Sequence, residues 1–364
     1  MSAQPSPLEQ AILQALGNVR DPDLGRDIVS LGFVKRVAVS DGRADVTIEL
    51  TTPACPVKEK MRGEAQQLIL SIPGISEANV DMTAQVRAST GAATTPFLPE
   101  VKNVIAVASG KGGVGKSTVS ANLALSLLRA GARVGLLDAD VYGPSIPTIL
   151  GISDKPAVTE KNFLIPVTQY GLKVISVGFF IGEQEAVIWR GPMLSKLLDQ
   201  FLGMVEWGEL DYMVVDLPPG TGDIQLSLCQ KIPLAGAVIV STPQDVATKV
   251  AQKAITMFRK LNTPVLGVIE NMSYFICSHC GQREDIFGTG GAEQAAARLD
   301  IPFLGRIPLS TSLRATSDSG RPEMVDAPES IVAKAFIHAA ENLAAQLSIA
   351  AMKGEAGQEI KISF

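Results

Sequence analysis

Three groups of residues in this 364-residue chain have types and spacings that can do chemistry. The first is Gly110-Lys111-Gly112-Gly113-Val114-Gly115-Lys116-Ser117-Thr118, which matches the phosphate-loop pattern G-x-x-x-x-G-K-[ST]. Glycines at those positions let backbone N–H groups wrap a polyphosphate at the start of a helix. Lys116 is expected to reach the β- and γ-phosphates, and the Ser117 hydroxyl to ligate Mg²⁺, with ATP as the nucleotide. Because such a loop faces solvent, Lys116→Ala is expected to abolish nucleotide binding and leave the fold intact.

The second group is acidic. Asp216 closes the apolar run Tyr212-Met-Val-Val, where a carboxylate would hold Mg²⁺ through water at the end of a strand. The following Leu-Pro-Pro-Gly-Thr-Gly reads as a loop that senses the γ-phosphate, with Gly220 offering its N–H. Asp138 and Asp140 follow the run Val134–Leu137. Asp140 is taken as the residue that orients the attacking water, and Asp138 stands equally well as a structural strand-end residue.

The third group is Cys277-Ser-His-Cys280. Two thiolates at that spacing clasp one edge of a metal centre, whereas a [4Fe–4S] cluster or a tetrahedral zinc asks for four ligands. Neither Cys55 nor Cys229 is close in sequence, so a two-fold dimer, with two pairs, is the closed solution. A zinc shared across the dimer, with His279 as a possible further ligand, has the same count. A redox dithiol and an unligated pair also stay open. Cys55 precedes Pro56 at the expected start of a helix, where free N–H groups favour a thiolate. A helper role in passing on cluster iron is set there against a capped, half-buried cysteine. Cys229 lies in an apolar helical stretch and reads as core. His338, with no acidic partner expected in its neighbourhood, is given no role.

The elements that must position these residues follow from periodicity. Residues 6–17 open with Ser6-Pro7-Leu8-Glu9, a helix start, and continue at helical spacing. Runs 34–39 and 44–50, joined by Asp41-Gly42, alternate as a hairpin with one buried face. A helix over 56–70 and a strand over 78–82 complete a small α+β unit of order α-β-β-α-β, assigned to residues 1–87. Residues 88–100 are small, polar and proline-containing, a linker. From Val101 to residue 348, Val/Ile-rich runs alternate with helical patterns: 104–108, 134–137, 174–177, 212–215, 237–240 and 265–269. Such runs indicate strands buried on both faces of a parallel sheet, in a doubly wound α/β domain. Residues 244–260 read as one crossover helix, 118–129 as the helix leaving the phosphate loop, and 349–364 as a flexible tail.

Composition excludes several classes. With 46% hydrophobic residues the chain can build full cores, so a disordered chain is ruled out. Its formal charge of −5 and the absence of a Lys/Arg block argue against nucleic acid as main partner. No apolar run approaches the roughly 18–20 residues that span a bilayer, and the first residues lack a signal-peptide pattern. A cytoplasmic protein without a membrane partner is expected.

Lys111 within the loop, together with Leu137-Asp-Ala-Asp-Val-Tyr-Gly-Pro-Ser145, Trp189-Arg-Gly-Pro192, Asp216-Leu-Pro-Pro-Gly-Thr-Gly-Asp223 and the cysteine pair, closely resembles the Mrp/ApbC iron–sulfur cluster carrier ATPases. These belong to the deviant-Walker class that includes MinD, ParA and the nitrogenase iron protein. Residues 1–85 resemble the iron–sulfur assembly domain often fused ahead of them, through Asp21-Pro-Asp23, Asp27-Ile-Val-Ser-Leu-Gly32 and Thr52-Pro-Ala-Cys-Pro56. The resemblance implies slow ATP hydrolysis in a homodimer and a labile [4Fe–4S] cluster bridging the two subunits. It implies delivery to apo iron–sulfur proteins and exchange with an assembly scaffold. It also implies that Lys111 reaches the partner subunit's nucleotide, that Asn271 hydrogen-bonds adenine, and that the Arg306-Ile-Pro308 segment borders the base. A MinD/ParA-type positioning ATPase, or a zinc-bridged one, is the alternative.

Overall fold

The computed structural model describes residues 6–89, 97–180, 191–277 and 279–356. Residues 90–96 of the expected linker, Trp189 and Arg190 of the third motif, Ser278, and the tail beyond Ala356 lie outside them. The chain divides into two compact units, 1–87 and 88–364.

In the first unit, helix α1 (Pro7–Leu16) starts at a capping box: the Ser6 side chain accepts from the Glu9 N–H, while the Glu9 carboxylate accepts from the Ser6 N–H. Strands β1 (Val34–Ser40) and β2 (Arg43–Leu50) pair antiparallel around Asp41-Gly42. Both turn residues have positive φ, 50° and 79°, which a two-residue hairpin loop of this hand requires. Helix α2 (Lys58–Leu70) crosses over to β3 (Glu77–Ala84), which runs parallel to β2. Ala44, Val46, Ile48 and Leu50 are buried on one face of β2, as alternation requires, and Ile12, Leu16, Met61, Ala65 and Ile69 are the buried helix residues.

The second unit runs β4 (Val101–Ser109), α3 (Lys116–Arg129), β5 (Val134–Asp138), α4 (Ile146–Leu150), a β6 (Ala157–Val158)/β7 (Leu164–Ile165) hairpin, β8 (Val167–Gln169) and β9 (Leu172–Ser176). It continues α5 (Gly191–Gly203), β10 (Leu210–Asp216), α6 (Asp223–Lys231), β11 (Leu234–Ser241), α7 (Asp245–Lys260) and β12 (Val265–Glu270). A hairpin of β13 (Phe275–Ile276) and β14 (Arg283–Glu284), then α8 (Gly291–Arg298), β15 (Phe303–Arg306), α9 (Thr311–Asp318), α10 (Glu323–Asp326) and α11 (Ile331–Ala356) complete it.

Eight strands form one sheet in the order β15-β12-β11-β4-β10-β5-β9-β8, parallel except for β8. Val104, Ile105, Ala106 and Val107 on β4, and Met213, Val214 and Val215 on β10, are almost fully buried, as helices on both faces demand. The strand order reverses at β4, so the carboxyl ends of β4, β10 and β5 open onto one crevice. Two expectations need correction. Helix α11 holds through Ala356, past the expected start of the tail, because its buried Ala344, Ala345, Leu347 and Ala351 keep it on the domain. Helix α2 begins at Lys58 rather than at residue 56.

Candidate nucleotide site and cysteine hairpin

The phosphate loop joins β4 to α3, and the helix starts at Lys116, two residues before the expected Thr118. Gly113 (φ 78°) and Gly115 (φ 77°) turn the backbone through the left-handed region, which costs a side-chain-bearing residue about 1–2 kcal/mol. Gly115 is also sterically required, since a Cβ there would lie 2.3 Å from Asn271 Nδ2. Gly112 and Gly113 are exposed, Gly110, Lys111, Ser117 and Thr118 are half-buried, and Val114 is buried. No ion pair among the described residues engages Lys111, whose carbonyl accepts from Ser109 Oγ at 3.0 Å.

Lys116 does not face solvent. Its side chain is 6% exposed, and its ammonium lies 2.8 Å from Asp216 Oδ2 and 3.4 Å from Asp140 Oδ2. Asp216, fully buried at the end of β10, also accepts from Ser117 Oγ (2.5 Å) and Ser120 Oγ (2.6 Å). The cation, the hydroxyl expected on Mg²⁺ and both carboxylates therefore form one closed network. That donor set fits Mg·ATP: a lysine for phosphate charge, with a serine hydroxyl and a carboxylate of the hard-oxygen kind this cation takes. Ser120 was invisible to the motif, yet its place one turn after Ser117 on α3 was a usable signal.

Asp138 pairs in register with Asp216 across β5 and β10, so β10 separates its strand from the loop strand. It is fully buried and accepts from Ser176 Oγ (2.8 Å), the Asp140 N–H (3.2 Å) and the Ile146 N–H (3.3 Å). Burial, and then the charge of Asp216, push its carboxyl up to about 7, against the pull of Ser176 and Lys116. Asp140 accepts from the Tyr142 and Gly143 N–H groups, which leaves its Oδ2 turned to Lys116. Gly220, expected to offer its N–H to a phosphate, donates it to Ser109 O at 2.9 Å and so ties the 217–222 loop to the end of β4.

Asn271, just past β12, is buried; Nδ2 donates to Val114 O at 2.8 Å, and Oδ1 has no partner among the described residues. An orphaned buried acceptor beside the phosphate loop suits an exocyclic amine. Arg306 ion-pairs with Glu293, stacks over Phe303, and lies 3.9 Å from the fully buried Glu270.

Cys277 and Cys280 cap the β13/β14 hairpin. The Cys277 N–H donates to Gln282 O (2.9 Å) and the Gly281 N–H to Cys277 O (2.8 Å), with Gly281 at φ 71°. The Cys280 N–H, then the His279 N–H and the Cys280 thiol, turn towards the Cys277 sulfur and lower its thiol below the ordinary value. Cys277 is half-buried and Cys280 exposed. Among the described residues no three His, Cys, Asp or Glu side chains group to hold a metal. Cys229 is buried, and burial pushes its thiol up to about 12. Cys55 lies three residues before α2, its carbonyl accepting from the N–H of Lys58, the first residue of that helix. His338 does have an acidic neighbour, Glu341 Oε2 at 4.0 Å one turn on.

The sheet order, the glycine loop and the buried carboxylate beside its lysine define a P-loop NTPase of the MinD/ParA type. The fold is shared with the cell-division ATPase MinD of Pyrococcus furiosus (24% identity, TM-score 0.51, 66% of this chain and 98% of that one). A nucleotide-binding protein of Archaeoglobus fulgidus, solved with ADP, is 46% identical at TM-score 0.56 over 62% of this chain and 90% of its own. Residues 100–344 match the family described as NUBPL iron-transfer P-loop NTPase, and residues 9–82 the family of iron–sulfur cluster assembly proteins. The iron–sulfur cluster carrier protein of Deinococcus radiodurans is 48% identical over 94% of this chain and 96% of its own. That of Escherichia coli K12 is 42% identical over 94% and 93%. The chain belongs to the iron-transfer P-loop NTPase family, with an iron–sulfur assembly domain ahead of the NTPase. Among the described residues no helix is long and apolar enough to cross a membrane.

Proposed function

We propose that this protein is a cytoplasmic, homodimeric, Mg·ATP-dependent carrier that holds a labile [4Fe–4S] cluster between subunits, exchanges it with an assembly scaffold and hands it to apoproteins. The cysteine hairpin carries this reading. It presents a half-buried thiol whose sulfur is met by two backbone N–H groups, beside an exposed one, and so offers two of the four ligands a cluster needs. A second copy supplies the other two.

At the nucleotide, Lys116 leaves its carboxylate partners for the β- and γ-phosphates, and Lys111 serves the partner subunit's nucleotide. Mg²⁺, held by Ser117 and through water by Asp216, neutralises phosphate charge when bound. Gly110 through Thr118 wrap the phosphates, Gly220 turns its N–H to the γ-phosphate, and Asn271 Oδ1 accepts from the adenine amine. Asp140, released from Lys116, orients the attacking water, giving slow hydrolysis to ADP and phosphate. Cys55 is a candidate accessory thiol in cluster exchange, and residues 88–100 link the two domains.

Anaerobic reconstitution with iron and sulfide tests the reading. The wild-type chain is expected to become a brown dimer with about four irons per two chains, and Cys277→Ala with Cys280→Ala to stay colourless. Cluster retained in the double variant, or zinc in place of iron in protein purified without oxygen, refutes it.

A further inference from the structure

A groove of about 550 Å³ lies between α6 and α7, away from the cysteine hairpin in sequence and given no task by the nucleotide chemistry. Its floor holds Leu226 and Met257, and its rim carries Thr221, Gln252, Lys253 and Lys260. Among the described residues no acidic side chain lines it, and neither Lys253 nor Lys260 forms an ion pair with any of them. In a chain of formal charge −5, a recess with an apolar floor and two ammonium groups that pair with no described carboxylate is an unusual local balance.

One wall ties the groove to the nucleotide site. Thr221 belongs to the 217–222 loop, which follows Asp216 and is anchored to the end of β4 through Gly220 N–H and Ser109 O. The Leu226 N–H donates back to Gly222 O, which joins the floor residue to that loop. Between them, Gln225 is 1% exposed, and neither amide atom finds a hydrogen-bond partner among the described residues. A buried amide without partners carries a desolvation cost at the first turn of α6.

We infer that the α6–α7 groove docks an acidic segment of a partner polypeptide carrying an apolar anchor, and that its grip follows the nucleotide bound beside Asp216. Aliphatic side chains of that segment cover Leu226 and Met257, and its carboxylates meet Lys253 and Lys260. The docking surface stands on the groove alone, whereas its dependence on nucleotide rests on the site proposed above.

The probe is a fluorescein-labelled, 14-residue amphipathic peptide of glutamate and leucine, titrated against the full chain by fluorescence anisotropy at low salt. Saturable binding is expected, weakened about tenfold or more in Lys253→Glu/Lys260→Glu and by raising salt to about 0.5 M, as contacts with exposed charges require. The variant should keep wild-type ATP affinity by calorimetry and wild-type basal hydrolysis, because neither lysine touches the phosphate loop. With Mg·ATP the peptide affinity is expected to change about threefold or more from the nucleotide-free value. No binding, equal binding by the variant, or equal binding of the lysine–leucine peptide of the same pattern overturns the docking surface. So does loss of self-association by the variant in sedimentation, which would make the groove a contact between copies. An unchanged affinity while calorimetry shows ATP bound overturns the nucleotide dependence; no ATP binding by the wild type is instead a failure of the nucleotide reading.

Discussion

Lys116→Ala should do more than empty the phosphate loop, because this lysine is the counter-charge of a buried acidic pair. Its ammonium sits 2.8 Å from Asp216 and 3.4 Å from Asp140, with exposures of 6% for the lysine, 0% for Asp216 and 9% for Asp140. Ser117 and Ser120 still donate to Asp216 after the change, but no cation balances the two carboxylates. Removing one member of a buried ion pair costs about 3–5 kcal/mol, since the partner charge stays out of water. For a domain of this size each kcal/mol lowers Tm by about 2–4 °C, so the ligand-free variant should melt on the order of 10 °C early. Thermal unfolding followed by near-ultraviolet circular dichroism reads this domain directly, because the buried Trp207 lies in its core. Adding Asp216→Asn to Lys116→Ala should restore about half or more of the loss, the coupling expected of contacting residues. A single variant with wild-type Tm, or a double variant less stable than Lys116→Ala, would refute the argument that the lysine is paid for by burial of its partners.

Two further outcomes follow from geometry. Gly113→Ala and Gly115→Ala share a positive φ and so a strain of about 1–2 kcal/mol, but only the second drives a Cβ to 2.3 Å from Asn271 Nδ2 while the first meets nothing within 4 Å. Chemical denaturation should show Gly115→Ala the less stable by about 1 kcal/mol or more, and calorimetry should show it alone losing adenine discrimination; equal behaviour would argue against the Asn271 contact. Asp211 accepts from Lys102 (2.8 Å) and from Arg133 through its backbone N–H (3.0 Å) and guanidinium (3.2 Å). Burial alone would raise its carboxyl, yet the Arg133 and Lys102 hydrogen bonds outweigh burial and hold it at about 2. A depressed carboxyl stabilises above the unfolded value near 4 and loses that contribution as the pH falls towards 2, so Asp211→Asn should cost about 2 kcal/mol at pH 7 and little at pH 2. A pH-independent difference would contradict it.

The six interior strands were legible because parallel strands covered on both faces must be continuous apolar runs, and Val104–Ala108 or Tyr212–Val215 has no other reading. The edges were not. Strand β8 has three residues and β15, Phe303–Arg306, has four including a glycine, too short to carry a period. The hairpin under the cysteines is two residues a side and is set by backbone hydrogen bonds rather than by pattern. The phosphate loop could be read because its chemistry fixes residue type at fixed spacing. The partners of its carboxylates could not, since Ser176 reaches Asp138 from 38 residues away and Ser120 is one serine among several. The expectation that Lys116 faces solvent failed for the same reason: local sequence shows an exposed glycine loop but not the carboxylates that fold over the lysine.

Those long-range contacts also connect the two halves of the proposed activity. Asn271 grips the phosphate loop at Val114 O, and only six residues later Cys277 presents its sulfur. The intervening chain is held at each step: the Ser273 N–H donates to Ile307 O (2.9 Å), the Leu309 N–H to Tyr274 O (2.7 Å), and the Cys277 N–H to Gln282 O (2.9 Å). Arg283, on the returning strand, stacks on Tyr274 at 4.3 Å. These hydrogen bonds tie the segment between Asn271 and Cys277 to the chain that follows β15 and to the hairpin itself. Loop and cysteines lie more than 150 residues apart in sequence, yet the Asn271–Val114 hydrogen bond leaves only six residues of chain between that contact and Cys277.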